Sequence, residues 1–291
     1  MKERKRRFGD RYDGRRVRTL SPMAYVSPYI MKTRVTSSNY IRDRFDIEKA
    51  EEYIRKKREE GLKGFGMMHV IIASYIRVVS QRPGINRFIA GQRIYARNNI
   101  DIMLTIKLDM SLNSPDTVVK ARFKPDATAE EIYNVITELV EGYRKNPGGG
   151  FDNAAKALSH VPGLFLKFAV WMLNFLDYFG CLPKFLEKVS PFHGSFFITS
   201  MGSLGIPPIY HHLYDFGNVP VFLSFGAPER KTVVMEDGSI QTKRFMEYNV
   251  STDERICDGH YFASALKMLK KILKNPCCLD ERPTEIAEDV D

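Results

Sequence analysis

The longest apolar run in the chain, residues 161–186 (VPGLFLKFAVWMLNFLDYFGCLPKFL), decides between a membrane-embedded and a globular fold. A helix that crosses a bilayer needs about 20 apolar residues. Lys167 and Asp177 interrupt this run, and prolines and glycines at its ends confine the helix to about 16 residues. We therefore predict a hydrophobic helix that packs on the body of the protein or between subunits. A contact with a membrane surface and a cover over an acyl-chain pocket are the less favoured alternatives.

The rest of the composition is that of a globular protein, with 44% hydrophobic and 12% aromatic residues. The net charge of +9 is unevenly distributed, since residues 1–18 hold nine Lys/Arg and three acids whereas residues 280–291 hold six acids and one Arg. A basic arm and an acidic tail of this kind indicate solvated termini or contacts between subunits. Nucleic-acid binding is not expected, because no reader motif with interleaved aromatic residues accompanies the arm.

The four cysteines show no CxxC pair and no Cys/His ligand spacing, so a zinc site is not expected. Adjacent Cys277 and Cys278 have poor geometry for a disulfide. Reduced thiols in a cytoplasmic protein are the favoured interpretation. The charged N-terminus, with no apolar segment after it, predicts that no signal peptide is present.

Hydrophobic periodicity predicts an α/β protein with a mixed sheet. Helices are predicted over residues 45–60, 67–81, 129–144 and 260–274. Strands are predicted over residues 93–96, 100–108, 195–199 and 219–225, the first two joined by a turn at Asn98 and Asn99. A hairpin is predicted from residues 231–235 and 243–250, which flank the turn at Asp237 and Gly238. Pro22 and Pro28 punctuate residues 21–40, in which Val35 and Thr36 suggest extended chain.

Three short stretches occur in an order that carries more information than any of them alone. Residues 81–88 (QRPGINRF) are followed by Ile94 and by residues 99–102 (NIDI); residues 194–202 (GSFFITSMG) are followed by Gly205; and residues 253–259 (DERICDG) precede the last helix. Together they resemble the catalytic domain of the dihydrolipoyl acyltransferases of 2-oxoacid dehydrogenase complexes and the related chloramphenicol acetyltransferases. The resemblance covers roughly residues 20–145 and 190–275.

This resemblance implies a fold and an assembly. The fold is the chloramphenicol acetyltransferase-like two-layer α/β sandwich with a mixed β-sheet. The expected organisation is a basic arm (1–20), one catalytic domain (21–275) with an apolar insertion at about 150–188, and an acidic tail (276–291), without lipoyl or subunit-binding domains. Members of the family place the base of one subunit against the acyl channel of its neighbour. A homotrimer, or a higher assembly of trimers, is therefore expected, with the arm around a neighbouring subunit or near the phosphates of coenzyme A.

The resemblance also implies a reaction, the transfer of an acyl group from coenzyme A to a hydroxyl or thiol acceptor, without a metal. The acceptor must lose a proton to a base, and a hydroxyl must stabilise the tetrahedral oxyanion. Thr199 stands at the position of that hydroxyl donor, with Ser200 beside it. Asp258 corresponds to the aspartate whose ion pair with an arginine holds the base loop in shape, and Arg255 keeps its place in the motif.

One position departs from the family, because Glu254 stands where the family has its catalytic histidine. A carboxyl group in water has a pKa of about 4.3 and is a weak base at neutral pH, although burial against apolar side chains raises such values. Three interpretations stay open. Glu254 is a base with a shifted pKa, a histidine elsewhere has replaced it (His260, His211 or His212), or the site is inactive and the fold serves assembly or ligand binding.

Overall fold

A six-stranded mixed sheet forms the centre of the protein in the computed structural model, which describes residues 5–107, 116–146 and 151–291. Its strands, in the spatial order β2-β9-β8-β7-β5-β6, are β2 (Ser38–Asp46), β5 (Ile100–Lys107), β6 (Asp116–Phe123), β7 (Phe196–Ser200), β8 (Val221–Val234) and β9 (Ile240–Asp253). β7 runs parallel to both of its neighbours, whereas the other pairs are antiparallel. A smaller antiparallel sheet contains β1 (Gly14–Arg16), β3 (Arg87–Ala90) and β4 (Arg93–Arg97) in the order β1-β4-β3.

Helices form the second layer. Those of the described residues are α1 (Pro22–Ile30), α2 (Glu48–Glu59), α3 (Met67–Gln81), α4 (Ala129–Lys145), α5 (Phe151–Ser159), α6 (Gly163–Tyr178), α7 (Lys184–Val189) and α8 (Gly259–Lys274). The main core lies between α2, α3, α4 and α8 and one face of the large sheet, where Ile76 of α3 shares a cluster with Ile198 of β7 and Leu223 of β8. This arrangement confirms the predicted α/β fold with helices layered on a mixed sheet.

The strongly periodic segments fold as predicted. Helix α3 has the predicted bounds, and α4 and α8 differ from theirs by one residue. The cap of α4 is a reciprocal one, in which the Thr128 hydroxyl accepts from the Glu131 backbone N–H and the Glu131 carboxylate accepts from the Thr128 N–H. Strands β8 and β9 form the predicted hairpin around Asp237 and Gly238, and Gly238 has a φ of +80°.

The extended chain predicted at Val35 and Thr36 is instead a short 3-10 helix, Val35–Ser37, and residues 22–30 form helix α1, which was not predicted. The Ser21 hydroxyl caps this helix by accepting from the Ala24 N–H. Pro22 is compatible with a first helical turn because the N–H that proline lacks would have no partner there. Pro22 therefore begins the helix instead of preventing it.

Two strand assignments also differ from the predictions. The helix predicted over residues 45–60 begins only at Glu48, since Phe45 and Asp46 complete β2. Strands β4 and β5 are where the sequence placed them, except that residue 108 lies outside the described residues. They do not pair with each other, however, because β4 belongs to the small sheet and β5 to the large one.

Helix α6 spans 16 residues inside the apolar run, as predicted, yet none of its residues is buried in the chain. Phe165, Phe168 and Trp171 are all more than half exposed. What ties the helix to the body is its last turn, where the Asp177 carboxylate accepts from the Arg11 guanidinium at 2.6 Å. In the parts of the chain that the structure describes, no helix is long and apolar enough to cross a membrane.

The basic arm and the acidic tail contact each other within one chain, which differs from the solvated termini or subunit contacts that were expected. The Asp291 carboxylate accepts from Arg7 at 2.8 Å and from Arg15 at 2.9 Å. Asp289 pairs with Arg87 of β3 at 2.5 Å, with both side chains largely buried. The small sheet is therefore held between the two ends of the chain.

Candidate active site

A row of polar side chains crosses the face of the large sheet that lies opposite the helices. Thr199 of β7 is in register with Ser224 of β8, which is in turn in register with Asn249 of β9. Residues that pair across strands share a face of the sheet, and alternate residues of one strand point to opposite faces. Ile198 belongs to the helix-covered core, so Thr199 lies on the other face. Its side chain is half-buried, and its hydroxyl has no hydrogen-bond partner within the described residues.

The covering segment, residues 206–214, runs over this face and is held there by the same two strands. The Ser224 hydroxyl donates to the Ile209 carbonyl, and the Asn249 amide donates to the Pro208 carbonyl at 3.0 Å. The hydroxyl of Ser251, two residues further along β9, donates to the carbonyl of His211. Because these bonds involve backbone carbonyls, the path of the segment depends on the strands more than on its own side chains.

His211 is the histidine that this segment brings to the polar face. Its imidazole lies parallel to the Phe222 ring, with centroids 3.9 Å apart, and Phe222 stacks on its strand partner Phe197 at 4.7 Å. Thr199 follows two residues after Phe197, which is about 6.6 Å along the strand. The imidazole and the Thr199 hydroxyl therefore lie on the same face of the sheet, with Phe222 between the imidazole and β7.

Hydrogen bonding fixes the tautomer of His211. Its Nδ1 lies 2.8 Å from the His212 carbonyl oxygen, so Nδ1 carries the proton and donates it. Nε2 is then left with its lone pair, and no hydrogen bond to it occurs among the residues described. Burial lowers the pKa of His211, and this keeps the ring neutral at neutral pH. The ring therefore has the protonation state of a general base.

The other candidate residues lie in different places. His212 is exposed beside His211, with ring centroids 4.8 Å apart. Ser200 alternates to the helix side of β7. His260 is exposed in the first turn of α8, a helix that packs on the opposite face of the sheet. His260 is thus separated from Thr199 by the sheet.

Glu254 follows the last residue of β9 and is exposed, with its backbone N–H donating to the Ser37 carbonyl at 2.9 Å. It lies five residues beyond Asn249 of the polar row, which corresponds to about 16 Å along a strand. Thr199 is two strands further across the sheet from Asn249. Within one chain, therefore, Glu254 and Thr199 do not meet.

The ion pair that shapes the loop after β9 is made by a different aspartate from the one the resemblance implied. Arg255 pairs with Asp253 at 2.7 Å, both side chains are at most 3% exposed, and the guanidinium also donates to the Met31 carbonyl at 2.9 Å. Asp258 is exposed and instead caps α8, accepting from the Tyr261 N–H at 2.8 Å. The loop is thus held through Asp253.

Three further residues of the candidate site, Asn249, Ser224 and Arg34, were not predicted from the sequence. Asn249 is buried, and its Oδ1 has no partner among the described atoms, so an acceptor faces the region beside Ser224. Buried Arg34 donates to the Tyr214 and Asp215 carbonyls at 2.5 Å and holds the far end of the covering segment. The only sequence signal for Ser224 and Asn249 is a polar residue within an apolar strand.

No group of His, Cys, Asp and Glu side chains in the described ranges is placed to hold a metal ion.

Solved structures with the same architecture share little sequence with this chain. The probable dihydrolipoamide acetyltransferase from Listeria monocytogenes 4b F2365 is 16% identical, covers 90% of this chain and 95% of its own, and has a TM-score of 0.57. A chloramphenicol acetyltransferase is 14% identical over 86% of this chain and 94% of its own, with a TM-score of 0.54. The chain has the chloramphenicol acetyltransferase-like fold.

The resemblance inferred from the three motifs is likewise confirmed. The family model of the 2-oxoacid dehydrogenase acyltransferase catalytic domain matches residues 189–279 of this acyltransferase-like chain. That range contains β7, β8, β9 and α8, and hence Thr199, His211 and Glu254. The cubic core of the pyruvate dehydrogenase multienzyme complex has the same fold, with 12% identity, coverage of 88% of this chain and 87% of its own, and a TM-score of 0.51. No curated protein matches the chain in sequence.

Proposed function

We propose that the chain is a coenzyme A-dependent acyltransferase that transfers an acyl group from an acyl thioester to a hydroxyl or thiol acceptor, with His211 as the base. The observation that carries the proposal is that the free Thr199 hydroxyl and the neutral, Nδ1-protonated imidazole of His211 lie on one face of the sheet, which is covered by the segment that contains His211. The match of residues 189–279 to an acyltransferase catalytic domain supports the reaction class.

In the proposed reaction, Nε2 of His211 takes the proton of the acceptor as its oxygen or sulfur attacks the thioester carbonyl. The new bond places negative charge on the carbonyl oxygen, and the Thr199 hydroxyl donates a hydrogen bond to this oxyanion. Collapse of the intermediate breaks the bond between carbon and sulfur, and the departing coenzyme A thiolate receives the proton from His211. The ring returns to its starting state, and no covalent acyl-enzyme forms.

Glu254 has a different place in this proposal. In an assembly of the family type, the loop after β9 of one subunit faces the acyl channel of the next, so Glu254 would approach the Thr199 of a neighbouring copy. There it would contribute to acceptor binding while His211 of the same chain as Thr199 acts as the base.

The cubic core with the same fold supports a homotrimer, or a higher assembly of trimers, as the working form. We place that assembly in the cytoplasm.

A catalytically inactive trimeric scaffold or ligand-binding protein is the second candidate function. The observation that favours it is the exposed position of Glu254, at the place of the family's catalytic histidine and away from Thr199 of its own chain. Such a protein would bind coenzyme A or an acyl thioester without turning it over.

The two functions are separated by an assay of thiol release. The purified protein is given acetyl-coenzyme A together with a panel of hydroxyl and thiol acceptors, and free coenzyme A is followed. Acceptor-dependent release that falls about 10²-fold in Thr199→Val, and is largely retained in Thr199→Ser, supports the acyltransferase. Binding of acetyl-coenzyme A without release by any acceptor supports the scaffold.

A further inference from the structure

A cleft of about 580 Å³ opens between the end of β2, the start of β9 and the second half of α8. Its walls are rich in cationic side chains, namely Arg44, Lys243, Lys267, Lys270, Lys271 and Lys274. Phe245 and Val233 contribute half-buried apolar surface. The volume falls within the range of sites for small molecules, which is roughly 300–1,000 Å³.

The positive charge of the cleft is only partly neutralised. Asp43 pairs with Lys270, and Asp46 lies 3.7 Å from Lys243. These are the two acidic residues in the lining. The other four cations, Arg44, Lys267, Lys271 and Lys274, have no ion-pair partner within the described ranges. The cleft therefore carries an excess of four positive charges.

Compensation of the helix dipole does not account for this excess. Lysines near the C-terminus of a helix interact favourably with its exposed carbonyls, and this explains Lys271 and Lys274 in the last turns of α8. It does not explain Lys267, which lies further from that end, or Arg44 on β2. Lys267, Lys271 and Lys274 recur at intervals of four and three residues and therefore project from one face of α8, towards the cleft.

We propose that this cleft binds a small molecule carrying at least two phosphoryl groups. A single monovalent anion would leave most of the excess charge unneutralised, whereas a diphosphate or triphosphate supplies charge of the required size. Lysines bind phosphate oxygens as point charges and need no fixed geometry, which suits an open cleft. Arg44 stacks over the Phe245 ring at 4.7 Å, so a flat, partly apolar group attached to the phosphates would find a surface beside them.

The site is distinct from the Thr199–His211 pair and goes beyond the proposed acyl transfer. Phe245 precedes Asn249 of the polar row by four residues, about 13 Å along β9. Most of the lysines come from α8, on the helix side of the sheet. A probe without an acyl group tests the cleft alone, so the outcome is independent of whether acyl transfer occurs.

The test is calorimetric titration of the full chain with sodium tripolyphosphate at about 150 mM KCl, close to physiological ionic strength. We expect one site per chain. The Lys267→Gln/Lys271→Gln variant keeps good helix formers at both positions and should bind about tenfold more weakly or worse. The control is Lys32→Gln/Lys63→Gln, which removes two exposed lysines outside the cleft and should leave the affinity unchanged.

A second arm compares ADP with pyrophosphate. Tighter binding of ADP identifies a nucleotide-type ligand, whereas equal binding identifies a free oligophosphate, and either result supports the site. Three results would overturn it: no binding of tripolyphosphate or ADP at millimolar concentration, equal affinity in the Lys267/Lys271 variant and the native chain, or sulfate binding as tightly as tripolyphosphate. Binding to anionic vesicles without binding to any soluble phosphate would also overturn it, in favour of a lipid surface.

Discussion

The imidazole of His211 lies parallel to the Phe222 ring, 3.9 Å between centroids, and its Nδ1 donates to the His212 carbonyl. Stacking fixes the plane of the ring and the hydrogen bond fixes its tautomer. Thr199 lies on the same face, next to Ser224 of the strand that carries Phe222. The two groups to which we assign the proposed acyl-transfer chemistry therefore come from one chain.

The pH dependence of acyl transfer follows from the burial of His211. Burial lowers the pKa of this imidazole, and the base must be neutral to accept a proton. Activity should fall with decreasing pH, with the acid limb of kcat/KM centred below the ordinary histidine value of about 6.5. A pH profile from 4.5 to 8, corrected for loss of structure, measures this. An acid limb above pH 7 would exclude His211 as the titrating base.

The buried pair of Arg255 and Asp253 should be important for stability. Replacing Arg255 with Ala leaves the Asp253 carboxylate buried without its partner, which typically costs about 3–5 kcal/mol. Urea denaturation of Arg255→Ala should show a loss of this size in the free energy of unfolding. Arg42→Ala, which removes the 59% exposed partner of Glu247, is the matched control and should cause a much smaller loss. Equal losses would contradict the assigned role of the buried pair.

His69 should make the stability of the protein depend on pH. Its Nδ1 accepts the Gly66 N–H at the start of α3, and burial lowers its pKa to about 4. Between pH 6.5 and 4 the unfolded chain then binds a proton that the folded chain does not, so this contribution to stability falls as the pH falls. His69→Asn keeps an acceptor for Gly66 and should reduce the loss across this window by about 2 kcal/mol. Denaturation curves at pH 7 and pH 4.5 compare the two proteins, with His160→Asn at an exposed position as the control.

Asp177 should hold α6 on the body of the protein. Because no residue of α6 is buried, its position depends on the ion pair with Arg11 more than on apolar packing. Asp177→Asn should therefore increase chymotryptic cleavage within residues 163–179 severalfold, while Glu52→Gln, at an exposed pair with Lys49, should not. Unchanged cleavage in Asp177→Asn would show that other contacts hold the helix.

The elements that could be predicted from the sequence were those with a regular hydrophobic pattern and a clear signal at their ends. Helices α3 and α4 carry long periodic stripes with clear ends, and the hairpin of β8 and β9 has its Asp237-Gly238 turn. Strands β4 and β5 were located but paired wrongly, because pairing depends on contacts with distant strands. Helix α1 could not be predicted from apolar periodicity because Pro22 and Pro28 interrupt its segment, although Ser21 caps it and Pro22 lies in its first turn.

The candidate site could be predicted only in part from the sequence, because it too depends on contacts between residues that are distant in sequence. Thr199 could be located because a short motif surrounds it. The position of His211 depends on the path of the connection between β7 and β8, residues 201–220, whose backbone carbonyls are held by the side chains of Ser224, Asn249 and Ser251. The motif around Glu254 could be recognised, but not that its Arg255 would pair with Asp253.

The identity of the base is tested most directly by thiol release from acetyl-coenzyme A, measured side by side in His211→Gln, His212→Gln and Glu254→Gln with the best acceptor. Loss of a general base typically costs about 10²–10⁴-fold in rate. The proposal predicts a loss of this size in kcat for His211→Gln, little change for His212→Gln, and an effect of Glu254→Gln that falls mainly on the KM of the acceptor. Full activity in His211→Gln together with loss of kcat in Glu254→Gln would contradict it.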